Sequence, residues 1–288
     1  MAHSLFKLTQ KLYGVPHLVN KQSFNSITSY LNSRNVQGMK LIPSPMSEDD
    51  SDEIGEEPDD LDDINGVGII NISGPLTNKS TGWEMMCGGC SYESIMEQCE
   101  ELIEDGATCI VMVMDSGGGE AYNVFEAANN IRTQCDEAGI PLYAYVDGCS
   151  ASACFALAVV ADEIICNPFG DVGSIGVLVC LEDSSKQDEM NGIKYLYVTA
   201  GKEKIPYAED GSFRPEFIDD LQYKVDFLYE AFCDHVASYT GLSVEDVKNT
   251  EAKTFIAQDA LKLGLINQIM TNEQFVDYIL SKQGASDA

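Results

Sequence analysis

Residues 141–160 read PLYAYVDGCSASACFALAVV, and no other stretch constrains the fold as much. An apolar, strand-like run meets the tiny residues Gly148-Cys149-Ser150-Ala151-Ser152-Ala153. An apolar, helix-like segment, Cys154 to Val160, follows. A strand that turns through such small residues into a buried helix has cramped backbone at the junction. The helix start supplies free backbone N–H groups and a positive dipole end, which suit a developing oxyanion. Close packing alone would also select Ala, Ser and Gly there, so the turn by itself leaves both readings open.

The surrounding pattern places this turn in an α/β core. GVGIINISGPL from Gly66 reads as a strand ending at Gly74-Pro75, and Tyr92–Glu104 as a helix with Ile95, Met96, Cys99, Leu102 and Ile103 on one face. Thr108–Met114 is an unbroken apolar run of strand length, as expected for a strand buried on both faces. It ends at Asp115-Ser116-Gly117-Gly118-Gly119, ahead of a helix over Ala121–Glu137 and a strand over Leu142–Val146. Strands alternating with helices predict a largely parallel sheet, whose sites lie at the C-terminal strand ends. The triple glycine and the small-residue turn both fall there. The glycines match neither GxxxxGK[ST] nor GxGxxG, so a phosphate loop is not indicated. Bare glycine backbone can instead approach an extended ligand and offer N–H donors. Pro215–Tyr239 reads as a long helix, Ser243 as the cap of another, Ala257–Gly264 and 272–282 as helices, and Leu265–Ile269 as a short strand.

Composition removes several function classes. The net charge is −30, and residues 48–63 alone contribute 11 carboxylates, leaving −19 elsewhere. Such a chain does not bind a phosphate backbone, so no nucleic-acid partner is expected. The 42–65 region reads as an acidic, disordered linker behind an N-terminal helical segment, 1–41, with helices over Ser4–Tyr13 and Lys21–Arg34 parted by Pro16. That segment reads as an independent docking piece or an extra layer on the core domain, 66–288. Several of the ten cysteines lie in apolar runs, as reduced core residues do. Cys87-Gly-Gly-Cys90 lacks the second ligand pair of a zinc site, so no metal or cofactor is expected. Neither a signal peptide nor a membrane span is recognisable, which points to the cytoplasm.

GVGIINISGPL, VMVMDSGGGEAYN, YAYVDGCSASACFALAVVADEI, GDVGSIGV, VTAGKEK and FIAQDALKLGLINQI, in this order over about 66–270, resemble the signal peptide peptidase A family of serine peptidases. That resemblance implies a ClpP/crotonase-like fold and a Ser/Lys dyad. The short N-terminal segment without an anchor is more similar to the prohead (capsid maturation) proteases of lambda-like phages. Carried over by position, Ser152 is the nucleophile, with Ser150 the competitor two residues early. Gly119 and Ala153 are the oxyanion donors, with Gly118 beside them in the glycine segment. Gly117 stands where the family has proline. Lys204 matches the general base ahead of Lys202, and Ser174 matches a serine that orients the lysine. Ile205 stands where relatives often carry an acidic residue.

The residue inventory agrees with a lysine base. Of three histidines, His3 and His17 precede the core domain and His235 lies in the long helix, read as structural or surface. A serine hydroxyl needs a base, and a lysine can act as one when held uncharged in an apolar pocket. Lys204 is expected in such a pocket. A mobile loop near the substrate is expected over 202–214.

The function implied is a Ser/Lys endopeptidase acting on polypeptides, with capsid, portal or scaffold proteins as candidate substrates in a host cytoplasm or prohead. The resemblance also implies a ring-like homo-oligomer. The alternatives are a cellular peptide-degrading peptidase, a crotonase-like acyl-CoA enzyme and a noncatalytic assembly protein.

Overall fold

The computed structural model describes residues 15–21, 23–24, 66–80, 89–208 and 210–284. The expected helix over Ser4–Tyr13, nearly all of that over Lys21–Arg34, and the acidic linker lie outside them. In chain order come β1 (His17–Val19), β2 (Val67–Ser73), β3 (Leu76–Thr77), β4 (Cys90–Ser91), α1 (Tyr92–Glu104), β5 (Cys109–Ser116), β6 (Gly118–Glu120), α2 (Val124–Ala138), β7 (Leu142–Ala151) and α3 (Ala153–Ala158). Then follow β8 (Glu163–Cys166), β9 (Asp171–Gly173), α4 (Ser185–Met190), a 3₁₀ turn (Lys202–Lys204), α5 (Pro215–Thr240), α6 (Val244–Lys248), β10 (Thr254–Ile256), α7 (Ala257–Leu263), β11 (Gln268–Ile269) and α8 (Asn272–Gly284).

The larger sheet runs β10-β9-β7-β5-β2, with β8 also on β7 and β11 on β8. Every pairing in it is parallel except β9 with β10. This is the expected α/β architecture. β5 is buried on both faces because its alternate residues serve two cores. Ile110, Met112 and Met114 face the main core with residues of α1, α2 and α3. Cys109 and Val111 face a second cluster with Tyr143, Tyr145 and, from α8, Phe275, Val276 and Ile279. The Tyr145 and Phe275 rings stack at 4.4 Å.

A smaller sheet, β1-β6-β3-β4, lies beside the site. Its β1 was not foreseen: the N-terminal segment contributes a strand, and Leu18 is fully buried in the main core. Local pattern could not reveal it, because three residues carry no periodicity and the partner, β6, is about a hundred residues away.

The second departure concerns the small-residue turn. β7 does not stop at Val146 but runs to Ala151, and the turn contracts to Ser152. Small residues read locally as a turn, but pairing of Cys149, Ser150 and Ala151 with Asp171, Val172 and Gly173 makes them strand. The extra length is absorbed by a register shift opposite Met114 and Ser116. The Asp115 carboxylate fills the shift, accepting from Cys149 N–H at 3.0 Å. A Cβ on Gly148 would collide with that carboxylate, which explains the glycine. Likewise, Gly118-Gly119 lies in a strand rather than a plain loop.

Candidate active site

Ser152 is the N-cap of α3, with φ 58° and ψ −119°. A non-glycine residue held there is strained, and the surroundings enforce it. Its N–H donates to Gly173 C=O at 2.7 Å, and its own C=O accepts from Ala156 N–H at 3.0 Å. The side chain is fully buried, yet its Oγ has no hydrogen-bond partner. A buried hydroxyl without a partner costs about 1–3 kcal/mol and calls for an explanation. Ser150 differs. It too is fully buried, but its Oγ lies 3.5 Å from Cys154 Sγ and 3.6 Å from Met114 Sδ. Ser150 is thus accommodated within the core, while Ser152 is held in an unfavourable conformation with its hydroxyl unspent.

The glycine strand lies against this helix start. Gly118 has φ 97°, and a Cβ there would stand 3.0 Å from Ala153 N. Gly119 is pressed so closely on the Leu76 carbonyl that a side chain could not fit. Ser116 fixes the approach by donating to Gly74 C=O and accepting from Gly118 N–H at 3.1 Å. The glycine strand and the start of α3 therefore meet beside Ser152. Ser174 follows Gly173 with φ 54°, and its N–H donates to Lys253 C=O at 2.8 Å. A cleft of about 880 Å³ opens beside these residues. Its walls include Asp115, Gly118, Ser174, Lys21 and Lys253.

Lys204 is elsewhere. It ends the 3₁₀ turn, its side chain is exposed, and it does not line the cleft. The apolar pocket expected around it is not formed within one chain. Lys202 is exposed as well. Arg214 holds the turn, pairing with Glu203 at 2.8 Å and donating to Lys202 C=O at 2.8 Å. Over 202–214 the loop folds back through a Tyr207–Phe213 bridge, and rings run from Tyr195 through Tyr197, Tyr207 and Phe213 to Phe217. The structure thus unites Ser152, Ala153, Gly118 and Gly119 and leaves the lysine apart.

A family-wide comparison decides the lineage: the peptidase family S49 profile matches residues 134–285. The chain belongs to peptidase family S49. The match takes in Ser152, Ser174 and Lys204. This S49 chain is 26% identical over 208 residues to the head-tail preconnector protein GP5 of Enterobacteria phage P21, covering 72% of this chain and 41% of that protein. It is 27% identical over 230 residues to the capsid assembly protease C of Escherichia phage lambda, covering 78% and 50%. It is 30% identical over 177 residues to the probable protease SohB of Buchnera aphidicola, covering 60% and 50%. The chain thus spans about half the length of these relatives. Among solved structures, a mutant ClpP1 from Listeria monocytogenes aligns with 73% of this chain and 94% of its own, at 15% identity and a TM-score of 0.47.

One contributor escaped the sequence reading. Asp115 shapes the end of β7, and its position just before the glycines at a strand's C-terminal end was the available signal. His235 backs α3 from α5, its Nε2 2.9 Å from the Ala156 carbonyl oxygen. Burial outweighs that hydrogen bond and lowers its pKa below 6.5, so the imidazole is a neutral donor within the packing. It rests on Phe125 and Tyr239. Among the described residues, no helix is long and apolar enough to cross a membrane.

Proposed function

We propose that this S49 chain is a serine endopeptidase of phage capsid maturation, with Ser152 as nucleophile and Lys204 as base. The observation that carries the proposal is the buried, unpartnered Ser152 hydroxyl at a strained helix start, beside glycine backbone. The Lys204 amine, uncharged for the step, takes the Ser152 proton as Oγ bonds to a peptide carbonyl carbon. The Gly119 and Ala153 N–H groups hold the resulting oxyanion. As the C–N bond breaks, the lysine returns that proton to the leaving amine. Water then attacks the acyl-enzyme, the lysine takes its proton, and Ser152 regains a hydrogen as the acid product leaves.

Polypeptides of the prohead are the proposed substrates, supported by the names of the two phage relatives. A homo-oligomer is part of the proposal. Met190, Leu196 and Val198 are 83%, 87% and 92% exposed, and Ile193, Tyr195 and Tyr197 lie in the same stretch. A run of exposed apolar side chains suits burial against another copy, which would give Lys204 its dry setting over Ser152.

A fluorophosphonate probe read by mass tests the nucleophile. Labelling of the parent and of Ser150→Ala, with none in Ser152→Ala, is expected. Labelling of Ser152→Ala at full stoichiometry would refute the assignment.

A further inference from the structure

β1 occupies an unusual place. It runs antiparallel to β6, with His17 opposite Glu120, Leu18 opposite Gly119 and Val19 opposite Gly118. Asn20 N–H extends the ladder, donating to Gly117 C=O at 2.8 Å. Its other edge is paired too: His17 and Leu178 exchange N–H···O=C bonds of 2.9 and 3.0 Å. The strand therefore bridges two walls, the glycine strand on one side and the segment after Ser174 on the other.

The Leu18 carbonyl points to the catalytic corner. A Cβ on Gly118 would collide with Leu18 O and would stand 3.0 Å from Ala153 N, so both atoms crowd one spot. The Leu18 side chain is wholly buried in the main core. The departure at Gly117 fits the same arrangement. A Cβ there would run into Ser23 Oγ and lie 2.7 Å from Asn20 Nδ2, so glycine leaves room for the chain following β1.

A polypeptide substrate has to add as an extended strand whose carbonyl reaches Ser152 and the surrounding N–H donors. β6 has only two edges. At Gly119 one carries Leu76 of β3 and the other carries Leu18. The edge a substrate needs is the one that β1 fills.

We propose that residues 17–20 occupy the polypeptide groove in cis as a pseudo-substrate, with Leu18 where the residue attacked by Ser152 would sit. Substrate binding then requires β1 to leave, so the N-terminal strand sets the basal activity. This rests on the peptidase reading above. In sequence β1 is separated from β2 by more than forty residues, among them the acidic run 48–63. A strand on the same chain meets the groove as an intramolecular competitor of substrate.

The test compares the parent with Leu18→Asp, which sets a charge against the apolar pocket. Fluorophosphonate labelling of Ser152 and turnover of a fluorogenic peptide are expected to rise about tenfold or more once β1 is displaced. Equal or slower rates in the variant overturn the proposal and leave the peptidase reading standing. No labelling of either protein removes both. A second measurement avoids any folding defect of that variant. In Ser152→Ala, hydrogen exchange at 17–20 is followed while the peptide VPHLVNK, residues 15–21, is added. Loss of protection as the peptide takes the groove is expected. Protection unchanged at saturating peptide concentration means that β1 is a fixed part of the fold.

Discussion

From Leu142 to Val160 the chain is almost wholly buried, whereas from Met190 to Val198 it exposes large apolar side chains. The first stretch carries Ser152, the second leads to Lys204, and both belong to one proposed dyad. The first is fixed by partners within the chain: β5, β8 and β9 along β7, and α2, α5 and β6 around α3. The second has far less support, chiefly the ring contacts that run from Tyr195 and Tyr197 to Tyr207. Its α4 has six residues and no buried one, and 193–199 form no strand. In the proposed dyad the serine is thus set by one chain's own core, while the proposed base, Lys204, is exposed in a single copy.

Three experiments sharpen or break this contrast. The largest effect is expected at the lysine. Lys204→Ala should lower peptide turnover by about 100- to 10,000-fold, while Lys202→Ala stays near the parent. Equal losses in the two variants, read as kcat/KM, would mean that the turn rather than Lys204 matters. Next comes the exposed stretch. Leu196→Glu with Val198→Glu should weaken self-association by about 2 kcal/mol or more, by analogy with interface hot spots. Sedimentation should then show smaller species with the circular dichroism of the parent. An unchanged mass would take the stretch out of the interface.

The smallest effect concerns the buried side. His235 has a lowered pKa, so the folded chain disfavours its protonated form. Its stabilising contribution is complete above the unfolded value, near 6.5, and is lost as pH falls below that value towards the folded one. Urea midpoints of the parent should therefore fall between pH 8 and pH 5.5. His235→Gln should cost about 0.5–1.5 kcal/mol at pH 8 and show a shallower decline. An identical decline in both proteins would assign the pH dependence to other groups.

Where structure is local, the sequence was enough. The helix over Tyr92–Glu104 has the bounds its apolar face predicts, and Ser91 caps it by accepting from Ser94 N–H at 3.0 Å. Ser243 caps α6 as read, accepting from Asp246 N–H at 3.0 Å. The apolar run ending at Met114 became a doubly buried strand because no polar residue interrupts it. The candidate site was legible to the extent that it depends on residue size. Only Gly fits in β6 where it meets the start of α3, and that requirement is written in the chain.

Non-local pairing was not legible. The extension of β7 through Gly148–Ala151 follows from partners at Ser116 and Asp171–Gly173, and β1 forms against β6 and Leu178, both distant in sequence. The unspent hydroxyl that separates Ser152 from Ser150 depends on backbone angles and on neighbours such as Cys154 and Met114, which no spacing encodes. The sequence by itself determined an α/β sheet with small residues at two adjacent strand ends, because burial and steric fit act on each segment as it stands. Only the tertiary structure decided which serine is strained, which strand lies along the glycine strand and whether the lysine is buried, because those depend on contacts between segments distant in sequence.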